Sequence, residues 1–125
     1  MEFKEPEHIV MLRSTLRQFI DKEMPRDKVN QWDQDDYFPR DVFKKLVDLG
    51  VTTLTVPEEY GGNGKDMLAT IATIEELATR SIGMASGFIF CACYAGLNIV
   101  ESGSEKQKSD LLPKVASGEL LFSYG

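Results

Sequence analysis

The glycine-rich loop at residues 61–65 is the first stretch whose residue types could do chemistry. It reads Gly-Gly-Asn-Gly-Lys, and the backbone amides of such a loop can hold phosphate groups. The Walker phosphate loop, however, needs a glycine where Glu59 stands and a serine or threonine where Asp66 stands. The loop is therefore interpreted as a turn whose glycines supply positive φ angles.

Two adjacent carboxylates, Glu75 and Glu76, could suggest general acid–base chemistry. That chemistry needs two groups that converge on one substrate atom, whereas neighbouring residues on a helix point about 100° apart. Glu76 is also spaced to form an ion pair with Arg80, four residues later. The two carboxylates are therefore interpreted as a solvated face or a structural salt bridge.

The two cysteines, Cys91 and Cys93, and the single histidine, His8, are the remaining candidates for redox or metal chemistry. Cysteines two positions apart on a helix point about 200° apart, so they can neither form a disulfide nor share a metal. They are interpreted as small buried residues. His8 stands alone early in an amphipathic helix and is predicted to be a surface residue. From residue types alone, no catalytic or metal-binding constellation is predicted.

The composition limits the classes of partner. The 125 residues carry a net charge of −6 and contain no basic run, which argues against nucleic acid or an anionic membrane. The length fits one domain or a piece of a larger protein. The acidic and polar start resembles neither a signal peptide nor a transit peptide, so the cytoplasm is the expected location.

Residues 81–100 are the stretch around which the fold is organised. They contain no charged residue over twenty positions, a length that would also span a bilayer. Three glycines, two serines, Tyr94 and Asn98 interrupt the apolar run, and its flanks carry neither a basic cluster nor an aromatic belt. A central helix buried in an all-α bundle of five to six helices is therefore predicted rather than a membrane span.

Apolar spacing predicts further helices over residues 5–22, 39–49 and 66–79, and a capping box at Ser104 and Gln107 begins another. Gly50 is expected to end the second of these in a left-handed cap. Residues 51–56 favour a short extended segment, and Pro113 is expected to start a fresh turn. In the helix over 66–79 the inward face is predicted to consist of Met67, Ile71, Ile74, Leu77 and Ala78.

The last residues, 120–125, change to strand character and are predicted to be the start of a β-strand. A domain does not normally end on an unpaired strand, so Gly125 is expected to mark a truncation.

Six passages, in this order, resemble the N-terminal helical domain of the acyl-CoA dehydrogenases. They are Val-Pro-Glu-Glu-Tyr-Gly-Gly at 56–62, Glu-Glu-Leu-Ala at 75–78, Gly-Ser-Glu-Lys-Gln at 103–107, Leu-Pro at 112–113, Gly-Glu at 118–119 and Leu-Phe-Ser-Tyr-Gly at 121–125. The resemblance extends over almost the whole chain. It implies that residues 1–119 are the N-terminal helical domain and that residues 120–125 begin the middle β-domain of a three-domain flavoenzyme.

What the resemblance implies is α,β-dehydrogenation of an acyl-CoA thioester by FAD, with electrons passed to an electron-transferring flavoprotein by a homo-oligomeric enzyme, a dimer or a tetramer. Tyr124 and Gly125 match the residues that lead into the family's flavin-binding signature, and they are the predicted cofactor contacts. The family's catalytic glutamate would follow much later, so no residue of this chain is assigned as the base. The 125 residues alone are expected neither to bind FAD tightly nor to turn over substrate.

The family's acyl pocket has a wall that corresponds to Ser86, Gly87, Phe90 and Tyr94. The resemblance implies that Gly87 leaves room, whereas the bulk of Phe90 and Tyr94 shortens the pocket and favours a short or branched acyl group. Glutaryl-specific members carry an arginine near the position of Ala85, so a second carboxylate on the substrate is disfavoured. The alternative is that Phe90 and Tyr94 are simply part of the core.

Two other classes of protein stay open at the level of sequence. One is a flavoenzyme on the same fold, an acyl-CoA oxidase or a flavin monooxygenase, whose distinguishing residues would lie beyond this chain. The other is a non-enzymatic helical binding module, which would expose a large apolar patch.

Overall fold

The computed structural model describes residues 3–125, and the predicted all-α fold is confirmed for this part of the chain. Residues 1–2, the first two of the predicted domain, lie outside this range. Residues 3–125 form six helices, which are α1 (Glu7–Glu23), α2 (Arg26–Gln34), α3 (Arg40–Val47), α4 (Met67–Ala78), α5 (Ile82–Ser102) and α6 (Glu105–Ala116). Helix α5 is continuous, but Phe90–Leu97 is π-helical between two α-helical parts.

Helix α5 supplies the centre of the core. The side chains of Met84, Phe88 and Cys91 are buried, and they pack in one cluster with residues from α1, α3, α4 and α6. By length and composition α5 could also cross a membrane, and it is the one helix of the described residues with that property. Half of its most apolar window is buried inside the protein, as expected of a core helix, which satisfies the same criteria.

Two cap predictions are confirmed. Gly50 follows α3 with a φ of 90°, in the left-handed region that glycine adopts without a steric penalty. Ser104 Oγ accepts a hydrogen bond from the Gln107 N–H at 3.1 Å, and Gln107 Oε1 accepts one from the Ser104 N–H at 2.9 Å. This capping box satisfies two N–H groups at the start of α6 that have no partner within the helix.

Helix α4 presents a different face to the core from the predicted one. Leu77 is buried as expected, but Met67 and Ile71 are 37% and 47% exposed. The buried positions next to α1 are instead taken by short side chains, such as Ala69 and Ala72, which pack around Ile9 of that helix. Short side chains allow two helices to approach closely, so the larger apolar residues of α4 lie on its outer side.

The carboxylate of Glu76 connects α4 to α1 and is only 7% exposed. Its Oε1 accepts a hydrogen bond from Arg13 Nη1 at 3.1 Å, and its Oε2 accepts one from Arg17 Nε at 3.0 Å. Burial raises the pKa of Glu76, but the hydrogen bonds and charges of Arg17 and Arg13 outweigh this effect and lower the pKa below its ordinary value. The interpretation of Glu76 as part of a structural salt bridge is confirmed.

The predicted partner of Glu76, however, was wrong. Arg80 turns away from it and donates to the Met24 carbonyl at 2.7 Å and to Asp21 Oδ1 at 3.1 Å. Two arginines of α1 lie closer to Glu76 in the folded chain, and their contacts replace the short-range pair within α4.

Two predictions of local structure were also wrong. Residues 51–56 are not extended: Val51–Thr53 is a 3-10 turn, and the Thr52 and Thr55 hydroxyls bind carbonyls of α6 and α5. Pro113 lies inside α6 and does not begin a new turn. The expected strand start is not formed within residues 3–125 and stays a prediction. The 120–125 segment lies against α5, where the Phe122 N–H donates to the Phe90 carbonyl at 3.0 Å.

Replacing Glu76 with glutamine is expected to lower the free energy of unfolding by about 2 kcal/mol at neutral pH, because a neutral amide accepts weaker hydrogen bonds from two arginines. The effect should disappear in acid. Since the folded-state pKa of Glu76 is lowered, its stabilisation is complete above the ordinary glutamate pKa and is lost as the pH falls through the folded-state value. Urea denaturation followed by circular dichroism at several pH values measures both effects.

Glu75→Gln is the matched control, because Glu75 also accepts a hydrogen bond from Arg13 but is 58% exposed. We expect this variant to lose less than about 1 kcal/mol. Equal losses in the two variants would contradict the special role of Glu76.

Candidate functional site

The side of α5 that faces away from the core follows four-residue steps. Ile82 and Asn98 are exposed at its two ends, and Ser86, Phe90 and Tyr94 are half-buried between them. None of these five side chains carries a charge. The face is therefore an uncharged strip with two aromatic rings at its middle, which suits contact with an apolar or planar ligand.

Three aromatic rings stack in a row on this face. The ring centroids of Phe90 and Tyr94 lie 5.4 Å apart with an interplanar angle of 28°, and those of Tyr94 and Tyr124 lie 4.1 Å apart at 17°. The ring of Tyr124 is 66% exposed and closes the row on the solvent side. Asn98 fixes the row, since its amide donates to the Tyr94 carbonyl at 2.7 Å and to the Tyr124 hydroxyl.

This row brings together residues that the sequence predicted for two different ligands. Phe90 and Tyr94 were predicted to contact substrate and Tyr124 to contact a cofactor, and the three rings form one surface. Gly125 follows directly, and a Cβ built on it would meet no atom within 4 Å. Asn98 was not predicted as a site residue, although its position four residues after Tyr94 placed it on the same face.

Gly87 is buried beside this face, and the room that it leaves is already filled. A Cβ on Gly87 would lie 2.7 Å from Cζ of Phe38, whose ring packs at 5.6 Å, centroid to centroid, from Phe43. Phe38 was not predicted to lie near the site, because no local pattern connects the α2–α3 linker with α5. A contact of Gly87 with an acyl group stays a prediction, and the ring of Phe38 would border that contact.

Ala85 faces the core, where it is buried among apolar residues. It contributes neither charge nor hydrogen-bonding capacity to the exposed side of α5. An open cleft of about 540 Å³ lies at the start of α5 and is lined in part by Trp32, Tyr37 and Ile82. This cleft includes none of the predicted site residues.

The thiols do not supply chemistry to the site. Burial raises the pKa of Cys91 to about 12 and also raises the pKa of Cys93, so both remain neutral. Cys91 is buried and donates to the Val115 carbonyl at 3.4 Å, which confirms its interpretation as a small core residue. Cys93 is half-buried.

The remaining candidates also have structural roles. His8 is exposed, as predicted, and its Nε2 lies 3.1 Å from Oδ2 of Asp66. Asp66 also caps α4, where its Oδ1 accepts a hydrogen bond from the Ala69 N–H at 3.0 Å. In the preceding loop Gly61 and Gly64 have φ angles of 93° and 88°, which confirms the interpretation of that loop as a turn. Within residues 3–125, no three His, Cys, Asp or Glu side chains are grouped to hold a metal ion.

A family profile, curated relatives and solved structures all match this chain to the same protein family. The profile described as "Acyl-CoA dehydrogenase, N-terminal domain" matches residues 6–119. The chain is 34% identical over 115 residues to (2S)-methylsuccinyl-CoA dehydrogenase of Cereibacter sphaeroides, a match that covers 92% of this chain and 21% of that protein.

Two solved structures share the fold. Butyryl-CoA dehydrogenase from Megasphaera elsdenii superimposes with a TM-score of 0.85 at 26% identity, over 97% of this chain and 32% of that one. An acyl-CoA dehydrogenase from Bacillus anthracis, solved in complex with FAD, gives a TM-score of 0.81 at 30% identity, over 94% of this chain and 20% of that one. The chain thus spans about a fifth to a third of the length of these relatives.

Alanine substitutions at two glycines of α5 test the close contact with Phe38. Gly83→Ala should stabilise the protein by up to about 1 kcal/mol, because Gly83 is exposed and a Cβ there meets only Ser81 Oγ at 3.7 Å. Gly87→Ala should instead destabilise it by about 1 kcal/mol, because the ring of Phe38 must move. Urea denaturation of both variants measures the difference, and equal stabilisation by the two would contradict the packing of Phe38 on Gly87.

Proposed function

The chain belongs to the acyl-CoA dehydrogenase family, as its N-terminal domain, and we propose that the whole protein catalyses α,β-dehydrogenation of an acyl-CoA thioester. The observation that carries this proposal is the row of rings formed by Phe90, Tyr94 and Tyr124. It is an uncharged, partly open surface at which the predicted substrate and cofactor contacts meet. An acyl chain can lie on such a surface without leaving a buried charge unpaired.

In this proposal α5 forms one wall of the acyl pocket. Its core side is held rigidly by packing, and its outer side presents Ser86, Phe90 and Tyr94 to the ligand. A wall on a buried helix keeps its side chains in fixed positions, which favours a defined substrate orientation. The rest of the protein would supply the opposite wall.

The proposed cofactor is FAD, which accepts a hydride from the β-carbon when it is bound. The residues present fit a flavin in two respects. The ring of Tyr124 is open to solvent, and the backbone N–H groups of residues 123–125 make no backbone hydrogen bond within the described residues. These N–H groups are therefore free to donate to the polar edge of a flavin ring. Tyr124 and Gly125 are the proposed contacts.

The base that takes the α-proton is proposed to lie outside residues 3–125. The strip of five residues on the outer face of α5, from Ile82 to Asn98, presents hydroxyl, amide and apolar groups and no carboxylate or imidazole, and the exposed Glu101 after it lies 3.6 Å from Lys65 Nζ. Proton removal from a carbon next to a thioester needs a base within hydrogen-bond reach of that proton. This chain would therefore bind and orient the acyl group, and another part of the protein would remove the proton.

We further propose an electron-transferring flavoprotein as the electron acceptor, a homo-oligomeric enzyme, a role in fatty acid metabolism and a location in the cytoplasm. The acceptor, the oligomer and the metabolic role rest on what the family implies. The alternatives on the same fold differ in the acceptor. An acyl-CoA oxidase or a flavin monooxygenase would consume oxygen, whereas a dehydrogenase would reduce the flavoprotein.

The preferred substrate is proposed to be a short or branched acyl-CoA without a second carboxylate. Phe90 and Tyr94 occupy the middle of the pocket wall, and Ala85 offers no charge to pair with a distal carboxylate. Butyryl-CoA and isobutyryl-CoA should therefore be better substrates than methylsuccinyl-CoA or glutaryl-CoA. One of the similar proteins is a methylsuccinyl-CoA dehydrogenase, so a preference for methylsuccinyl-CoA is the result that would contradict this proposal most directly.

A non-enzymatic binding module is the remaining alternative, and one observation favours it. Leu68 and Ile82 are 62% and 76% exposed, and Met11 of α1 is exposed as well. The same side chains would be covered if the chain is one domain of a longer protein, as the length of its relatives suggests.

Spectroscopy of the purified full-length protein tests the proposed activity. Under anaerobic conditions, butyryl-CoA should bleach the absorbance of the bound flavin, and an electron-transferring flavoprotein should restore it. A full-length protein that binds no flavin, or whose flavin is not bleached by any acyl-CoA, would reject the proposed function and favour the binding module.

Replacing Phe90 with alanine should shift the preference of the full-length enzyme towards longer acyl chains, because the pocket gains the volume of the ring. We expect the ratio of kcat/KM for octanoyl-CoA to that for butyryl-CoA to rise about tenfold. Val100→Ala is the control, since Val100 is half-buried on the same helix about 15 Å further along. An unchanged ratio in Phe90→Ala would remove Phe90 from the pocket.

A further inference from the structure

The π-helical stretch Phe90–Leu97 lies in the middle of α5 and contains two of the three stacked rings. In a π-helix each N–H bonds to the carbonyl five residues back, whereas in an α-helix it bonds to the carbonyl four residues back. Such stretches are rare and are frequently found at functional sites. The parts of α5 on either side, Ile82–Ile89 and Asn98–Ser102, are α-helical. A local change of backbone register therefore coincides with the proposed pocket wall.

The register determines where the rings point. In an α-helix, four residues turn about 40° past a full turn, so a strip of residues at four-residue steps winds steadily around the helix. A π-helical turn contains more residues, so four residues turn less than a full turn. Within the π-helical stretch the strip therefore shifts around the helix in the opposite direction. The π-helical stretch thereby keeps Tyr94 and Asn98 on the same side as Phe90, where the rings stack.

Thr55 binds the π-helical stretch from the core side. Its hydroxyl donates to the Ala92 carbonyl at 2.8 Å, and both residues are fully buried. Gly96 makes room for this contact, because a Cβ at that position would lie 2.6 Å from Thr55 Oγ1. In an α-helix the Ala92 carbonyl would accept the N–H of Gly96. The Ala92 carbonyl has a different N–H partner in each register, and Thr55 supplies it with a further donor.

Two further carbonyls of the stretch also receive donors from outside the helix ladder. The Tyr94 carbonyl accepts a hydrogen bond from the side-chain amide of Asn98. In an α-helix this carbonyl would accept the backbone N–H of Asn98, but that N–H donates instead to the Ala95 carbonyl, three residues back. The Phe90 carbonyl accepts the Phe122 N–H. Only the Thr55 contact is made by a side chain that lies away from the ring face, so it can be changed without touching a ligand.

We propose that Thr55 is a positioning residue for the acyl pocket: its hydroxyl, through the Ala92 carbonyl, holds α5 in the π-helical register that stacks Phe90 on Tyr94. This proposal rests on the proposed function of α5 as the pocket wall. Without the hydroxyl the π-helical register loses its donor from the core side, and the α-helical register, in which the Gly96 N–H donates to the Ala92 carbonyl, becomes the favoured one. That change of register would rotate Tyr94 around the helix axis relative to Phe90 and break the row of rings.

The test is Thr55→Val in the full-length protein, because valine keeps the shape of threonine and removes only the donor. We expect the ratio of kcat/KM for octanoyl-CoA to that for butyryl-CoA to rise about tenfold, since the rings no longer narrow the pocket. Thr55→Ser, which retains the hydroxyl, should keep the ratio of the unchanged protein. A crystal structure of Thr55→Val should show an α-helical register at residues 90–97.

Thr52→Val is the matched control. Its hydroxyl makes an equivalent bond of 2.8 Å to the Ala116 carbonyl at the end of α6, so its loss should reduce stability in a similar way and leave the substrate ratio unchanged. A folded Thr55→Val protein that keeps the π-helical register and the ratio would overturn the proposal. An equal shift of the ratio in Thr52→Val would also overturn it.

If Thr55→Val does not fold, Thr55→Ala is the second variant, because it also removes the donor to the Ala92 carbonyl but places no methyl group against that carbonyl. A crystal structure of Thr55→Ala that keeps the π-helical stretch would then overturn the proposal. Absence of acyl-CoA turnover in the unchanged protein would reject the proposed function, whereas the crystal structure of Thr55→Val would still decide whether Thr55 holds the register.

Discussion

The burial of one side of an uncharged helix is the constraint on which the rest of the structure depends. Over residues 81–100, α5 offers no charge that could hold it at a surface, so the other helices must cover it. They cover only its core side, where Met84 and Phe88 are buried. The opposite side stays partly open. The same helix is thus the centre of the core on one side and the proposed uncharged wall of the acyl pocket on the other. The ion pairs of Glu76 stabilise this arrangement indirectly. They hold α1 against α4, and α4 packs on α5.

Buried polar groups determine the conformation of the segment after α3 and its contacts with α5 and α6. A buried carbonyl without a donor is unfavourable, so threonines that would suit a strand are instead used as donors to helices. Thr52 binds the end of α6 and Thr55 binds the middle of α5, and both lie in the short segment after α3. That segment is therefore compact, because its hydroxyls are needed where the helices meet. The aromatic row on the far side of α5 depends on the backbone register that the Thr55 contact is proposed to hold.

Local signals in the sequence were sufficient for the helices and for several of their ends. The absence of charge identified α5, and the spacing of Ser104 and Gln107 identified the cap of α6. The errors arose where a distant residue outweighed a local preference. Glu76 turned inward because Arg13 and Arg17 reach it from α1, and the π-helical register of α5 involves Thr55, 37 residues before its partner. Likewise the face of Tyr94 could be predicted, but its stack on Tyr124 depends on how the final segment folds back.

The most direct measurement is a crystal structure of the full-length protein with a bound acyl-CoA analogue that it cannot turn over. We expect the acyl chain to lie against Phe90 and Tyr94 on the outer face of α5, with the flavin beside Tyr124. An outer face of α5 that is covered by protein, with the acyl chain bound elsewhere, would contradict the assignment of this helix as the wall of the pocket.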